Sequence, residues 1–245
     1  MTDSPVAIVT GGAHGIGATI CIELLKNGYR VCVADIQKSK AEEFANEQRK
    51  IFGEENVTAI QCDVREESYY EKVFEETLKH FKRVDVLVNN AGIILPTDLQ
   101  EYIQVNLLGS LYGCHAALKY MGKSKGGNGG AVINTAPIED VGPIPELPGY
   151  IAIKHDLVNL TRSFGLPFYY EKDEVLFASL CPYVDAKTIK AINKACKLEL
   201  DSSSGSDKLS PEYAAKGVLK LLEDKINGST LLVVPNGYHY YEPID

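Results

Sequence analysis

Short apolar runs rich in β-branched residues alternate along the chain with longer stretches of helical period. The runs are 6–10, 30–34, 57–62, 84–89, 131–135, 176–181 and 230–234, and four of them are almost continuously apolar. Continuous apolar runs suit strands covered on both faces, as in a parallel sheet. The helical stretches are 16–27, 38–52, 66–81, 99–121, 150–170 and 211–224. In the first, Ile20 and Leu24 share a face and Gly28 supplies the stop. The last opens on Ser210-Pro211, a capping residue followed by a first-turn proline. Pro167 falls inside the fifth and should bend or end it. The pattern predicts an α/β fold: a Rossmann-like, doubly wound parallel sheet of about seven strands with helices on both faces.

A chain of 245 residues suits one such domain, 1–245. Segment 123–130, KSKGGNGG, reads as a helix-to-strand turn. A longer insert at about 184–210 carries the polar stretch DSSSGSD; inserts of that length inside a compact domain are often substrate loops. An ordinary surface loop is the other reading.

Composition narrows the partners. The net charge of −8 argues against nucleic acid or an anionic membrane as the main partner. No 18 apolar residues run together, so no membrane span is expected. The six cysteines form no Cys-x-x-Cys pair and four sit in apolar runs, which argues against both a disulfide framework and a zinc site. His14 and His155 have no ligand companions nearby, so no metal is expected. With no visible secretory signal, a cytoplasmic protein in a reducing compartment is the expectation.

The candidate chemistry begins at the first turn, Thr10-Gly11-Gly12-Ala13-His14-Gly15-Ile16-Gly17. A pyrophosphate needs free backbone N–H groups, a positive helix end and no side chains in its path, which glycines 11, 15 and 17 allow. The spacing is not G-x-G-x-x-G; its place between a strand and a helix gives it weight. Asp35 ends the second strand about 20 residues on. A carboxylate there accepts from ribose hydroxyls and repels a 2′-phosphate, and Ile36 and Gln37 rather than an arginine follow, so NAD is favoured over NADP. Asp63 closes the third strand in the same way.

Three motifs in order then carry a resemblance: Thr10-Gly11-x-x-x-Gly15-Ile16-Gly17, Asn89-Asn90-Ala91-Gly92, and Tyr150-x-x-x-Lys154. Together they resemble the short-chain dehydrogenase/reductase family over essentially the whole chain. The phrases IQCDV, VDVLVNNAG and KGGNGGAVIN are most similar to its prostaglandin-dehydrogenase branch, with insect-type alcohol dehydrogenases a second near match. The resemblance implies that Gly11, Gly15, Ile16 and Gly17 cradle the pyrophosphate of NAD. It places Asp35 and Ile36 at the ribose, Asp63 and Val64 at the adenine, and Asn90, Ala91 and Gly92 along the cofactor's centre. Pro182 and Val184 belong to the segment that covers the nicotinamide. Tyr150 is then the general acid/base, Lys154 holds the nicotinamide ribose, and Asn106 supports a proton-relay water. A homodimer or homotetramer is the family's usual assembly.

The chemistry suits that assignment. Free tyrosine titrates near 10, and a lysine one helical turn away lowers that value by stabilising tyrosinate. The family's catalytic serine, however, falls on Pro137, which has neither hydroxyl nor N–H, and its neighbours Ala136 and Ile138 also lack hydroxyls. Thr135 has one, two positions earlier. The cover segment also departs from the family: Tyr183 stands where glycine is usual and Ala186 where threonine is. Three functions therefore stay open. The first is an NAD-dependent oxidoreductase acting on a small secondary alcohol or ketone, apolar if Ile144, Leu147 and Pro148 line its entrance. The second is a catalytically degenerate NAD- or ligand-binding protein, and the third a non-redox enzyme on the same scaffold.

Overall fold

The computed structural model describes residues 4–93, 99–136, 148–182 and 210–241. Among the described residues seven strands run parallel: β1 (Val6–Thr10), β2 (Arg30–Asp35), β3 (Val57–Gln61), β4 (Val86–Asn89), β5 (Gly130–Thr135), β6 (Val175–Pro182) and β7 (Thr230–Val234). An eighth, β8 (Gly237–Tyr240), returns antiparallel to β7, and the sheet order is β3-β2-β1-β4-β5-β6-β7-β8. The helices are α1 (Gly15–Lys26), α2 (Lys38–Phe52), α3 (Glu67–Phe81), α4 (Leu99–Ile103), α5 (Gly109–Met121), α6 (Pro148–Phe164), α7 (Pro167–Asp173) and α8 (Pro211–Asp224). This is the doubly wound α/β architecture that the alternation predicts.

Period-2 alternation divides the core between the faces of the sheet. One layer joins Val9, Val33, Val88, Ile133 and Val233 to Ile20 and Leu24 of α1 and Val218 and Leu221 of α8. The other joins Ile8, Cys32, Leu87, Val132 and Phe177 to Tyr70 and Phe74 of α3, Cys114 and Ala117 of α5, and Phe164 of α6. Cys21, Cys32, Cys62 and Cys114 are buried free thiols, and Cys181 is buried too; burial pushes the Cys62 thiol up to about 12, so it behaves as an apolar group. Among the described residues no helix is long and apolar enough to cross a membrane.

Three local features refine the expected elements. The eighth strand carries little apolar pattern of its own. It is held by Tyr238, which stacks on Tyr213 of α8 and donates to that residue's carbonyl at 2.7 Å, and by Tyr240, which donates to Asp224 at 2.6 Å. The stretch 99–121 is not one continuous helix: a π turn, Gln104–Leu108, separates α4 from α5. There Asn106 is drawn inward, and Gly109 passes so close to Val64 that a Cβ would lie 3.1 Å away. The stretch 150–170 is interrupted just before Pro167, as expected: α6 stops at Phe164, Gly165 packs on Gly228 with room for no side chain, and Pro167 opens α7. At α8 the expected cap is present: Ser210 accepts from the Tyr213 N–H at 3.3 Å.

Candidate active site

Strand order reverses between β1 and β4, so a crevice opens beyond their carboxyl ends, the usual ligand position in such sheets. Gly11 (φ 61°) and Gly15 (φ 58°) hold left-handed backbone that L side chains disfavour. A Cβ on Gly11 would stand 2.9 Å from the Ala91 Cα, and one on Gly17 only 2.1 Å from the Gly11 carbonyl oxygen. At Gly15 a Cβ would meet nothing within 4 Å, so the turn is tight underneath and open above. No side chain caps α1 and no acidic residue occupies its first turn. Gly17→Ala is expected to destabilise the fold by about 1–3 kcal/mol, a loss of about 2–12 °C in melting temperature, measurable by calorimetry.

The loop after β4 is stitched to this turn. Asn90 Nδ2 donates to the carbonyls of Thr10 (3.0 Å) and Gly11 (3.3 Å), and the Thr10 hydroxyl accepts from the Asn90 and Ala91 N–H groups at 3.0 and 3.1 Å. Asp35 is buried at the end of β2; its carboxylate accepts from the N–H of Gln37 (2.9 Å) and of Ala13 (3.2 Å), which ties it to the turn. Ile36 beside it is exposed. Asp63 faces Arg65, whose fork donates at 2.9 and 2.6 Å and holds the carboxyl below its usual range. Val64 packs against Gly109.

Gly92, Asn106 and Lys154 come together at the end of the loop after β4. A Cβ on Gly92 would lie 2.8 Å from Asn106 Oδ1 and 3.9 Å from Lys154 Nζ. The Asn106 amide is held at both ends: Oδ1 accepts from the Ile93 N–H at 3.1 Å, and Nδ2 donates to the carbonyls of Ile93 (2.9 Å) and Tyr102 (3.2 Å). The side chain thus clamps the loop that carries Gly92. Lys154 is half-buried, and burial pushes its amine down to about 8, opposed by Cys181. At pH 7 about nine-tenths of it is still protonated. Tyr150 lies in the first turn of α6, one turn before Lys154. Pro182 ends β6, buried opposite Val233. Pro137, Ile144, Leu147, Tyr183, Val184, Asp185, Ala186 and nearly all of the insert lie outside the described residues. No cluster of three metal-ligating side chains occurs among the described residues.

Motif reading alone overlooks several polar groups here. The Thr10 hydroxyl organises the loop after β4, and Asn89 and Asn134 are buried side by side, with Asn89 Nδ2 donating to Asn134 Oδ1 at 2.9 Å. An asparagine closing an otherwise apolar run was the available signal. The Thr135 hydroxyl is enclosed, and it has no hydrogen-bond partner among the described residues.

Comparison with known proteins agrees with this geometry. The short chain dehydrogenase family model matches residues 5–196. The 15-hydroxyprostaglandin dehydrogenase [NAD(+)] of Mus musculus is 30% identical, over 97% of this chain and 93% of its own. Alcohol dehydrogenase 2 of Ceratitis cosyra is 27% identical, over 75% of this chain and 70% of its own. In fold, the chain superposes on a 3-ketoacyl-(acyl-carrier-protein) reductase from Brucella melitensis, solved in complex with NADH. The TM-score is 0.75 at 24% identity, covering 94% of this chain and 96% of that one.

Proposed function

Since the chain belongs to the short-chain dehydrogenase family, we propose that it is an NAD-dependent oxidoreductase acting on a secondary alcohol or ketone of apolar character. One observation carries the reading: the Lys154 amine and Asn106 Oδ1 both lie within 4 Å of where a Cβ on Gly92 would stand, and Lys154 sits one turn after Tyr150 on α6.

The residues present fit the cofactor. The open approach over Gly15 and the uncapped end of α1 suit a pyrophosphate, with Gly11, Ile16 and Gly17 beneath it. Asp35 would meet the ribose hydroxyls, and its carboxylate at the end of β2 would repel a 2′-phosphate. Asp63, Val64, Asn90, Ala91 and Gly92 would line the adenine and central portions, with Pro182 and Val184 over the nicotinamide. The relative named for NAD(+) supports the choice of cofactor. When bound, NAD supplies the hydride acceptor.

Tyr150 would take the proton of the substrate hydroxyl as hydride leaves the same carbon, and return it when the reaction runs from the ketone. Lys154, cationic at pH 7, would stabilise the phenolate and hold the ribose. Asn106 would hold the Ile93 loop in place, with one lone pair of Oδ1 left for a proton-relay water. Pro137 removes one donor to the substrate oxygen, a loss of about a hundredfold to a thousandfold in rate. The outcome is a slow enzyme rather than an inert one. The same proline favours a second reading, a degenerate binding protein. A cytoplasmic homo-oligomer of single-domain chains, with 184–210 over the substrate, completes the proposal.

The test is a panel of secondary alcohols of rising apolar length, with NAD, followed by NADH absorbance. Turnover that strengthens with chain length supports the proposal. Calorimetric NADH binding without turnover on any member supports the degenerate reading, and substrate loss without an absorbance change supports a non-redox enzyme.

A further inference from the structure

A file of buried polar side chains crosses the molecule beneath the crevice. Tyr70 of α3 donates to Asn89 Oδ1 at 3.1 Å, and Asn89 Nδ2 donates to Asn134 Oδ1 at 2.9 Å. Asn134 Nδ2 donates to Thr161 Oγ1 at 2.9 Å, and the Thr161 hydroxyl donates to the Leu157 carbonyl at 2.8 Å. Every member is at most 3% exposed, so water cannot replace a lost partner. The donors all point one way, from α3 through β4 and β5 to α6, which lets each bond polarise the next.

The two ends of the file matter. Asn89 immediately precedes Asn90-Ala91-Gly92, the loop bound to the glycine turn. Thr161 lies on α6, where successive residues are about 100° apart, within about 20° of both Tyr150 and Lys154. Leu157 and Val158 pack α6 against Ala136, Cys181 and Leu232, a contact of apolar groups that has no directional preference of its own. A hydrogen bond from β5 to Thr161 does not.

We propose that Asn134 and Thr161 are positioning residues that set the roll of α6, so that Tyr150 and Lys154 are registered against the loop at Gly92. The proposal rests on the oxidoreductase reading for its catalytic consequence, but the registration itself is measurable without turnover. Thr161→Val keeps the shape of the side chain and removes both hydrogen bonds; Thr161→Ser keeps the hydroxyl.

The experiment compares wild type, T161V and T161S by two readouts. The first is an NMR titration of Lys154 in cofactor-free protein labelled at the lysine ε-carbon, assigned with Lys154→Met. T161V should move its midpoint upward by at least half a unit as the amine becomes less buried, and T161S should restore it. The second, on the best alcohol of the panel, is a kcat reduced about tenfold in T161V with KM for NAD within twofold, and an alkaline shift of the kcat/KM profile. A folded T161V with an unmoved Lys154 midpoint overturns the proposal, whatever the turnover. Absence of wild-type turnover counts against the oxidoreductase reading instead. Should T161V not fold, T161A, which adds no methyl where the hydroxyl stood, decides by the same midpoint.

Discussion

Replacing Pro137 with serine is expected to raise kcat/KM for alcohol oxidation by about tenfold to a hundredfold, somewhat less than the full value of a positioned oxyanion donor. Counting back 13 positions from Tyr150 places the family's serine there, and β5 delivers the chain to that point from Thr135. Serine adds a hydroxyl and a backbone N–H, and it frees the φ angle that proline fixes. The gain should lie in kcat rather than in KM for NAD, because the hydroxyl acts on charge that develops during reaction. Steady-state kinetics of P137S and P137A separate the effects: P137A frees the backbone without adding the hydroxyl and should stay within a few-fold of wild type. Equal gains in both would mean that backbone relief, not a donor, was limiting.

Lys154→Met is expected to act in opposite directions on activity and stability. Turnover should fall by about a hundredfold or more, the usual range for loss of a group that tunes a general base. The cofactor-free chain should nevertheless become more stable at pH 7. Burial lowers the amine from 10.5 to about 8, so its charge is held at a cost in the folded state. Allowing for its partial exposure, removing that charge is worth about 1–2 kcal/mol, or about 2–8 °C. The sign with pH follows from proton counting. Between pH 8 and 10.5 the unfolded chain binds more protons at this site than the folded one, so wild-type stability gains from this group as pH rises through that window. The deficit is fully present below pH 8. Scanning calorimetry should therefore show the largest advantage of K154M at pH 7 and a narrowing gap toward pH 10. A gap independent of pH would show that packing, not charge, is responsible.

Much of this was legible in the residues because each parallel strand must be apolar on both faces, and each helix must show one face to the sheet. The glycine turn was legible for a related reason: positive φ at Gly11 and Gly15 and the close approach at Gly17 admit almost no other residue. The strand β8 was not, since tyrosines reaching back to Tyr213 and Asp224 hold it, and those partners are distant in sequence. The break between α4 and α5 was hidden in the same way. Asn106 and Gly109 are explained only by Ile93 and Val64 across the fold. In the candidate site the motifs located Lys154, Gly92 and Asn106, but not the file from Tyr70 to Thr161. Its members read one at a time as isolated polar residues in apolar runs.

The phenol at position 150 is the group on which the chemistry turns, and Tyr150→Phe isolates it by removing one oxygen. The decisive measurement is NADH formation by wild type and Y150F side by side, on the alcohol that gives the fastest wild-type rate, with NADH affinity measured for both by fluorescence. Wild-type turnover reduced at least a thousandfold in Y150F, with NADH affinity within about twofold, is the expected result. Equal rates in the two proteins would contradict it.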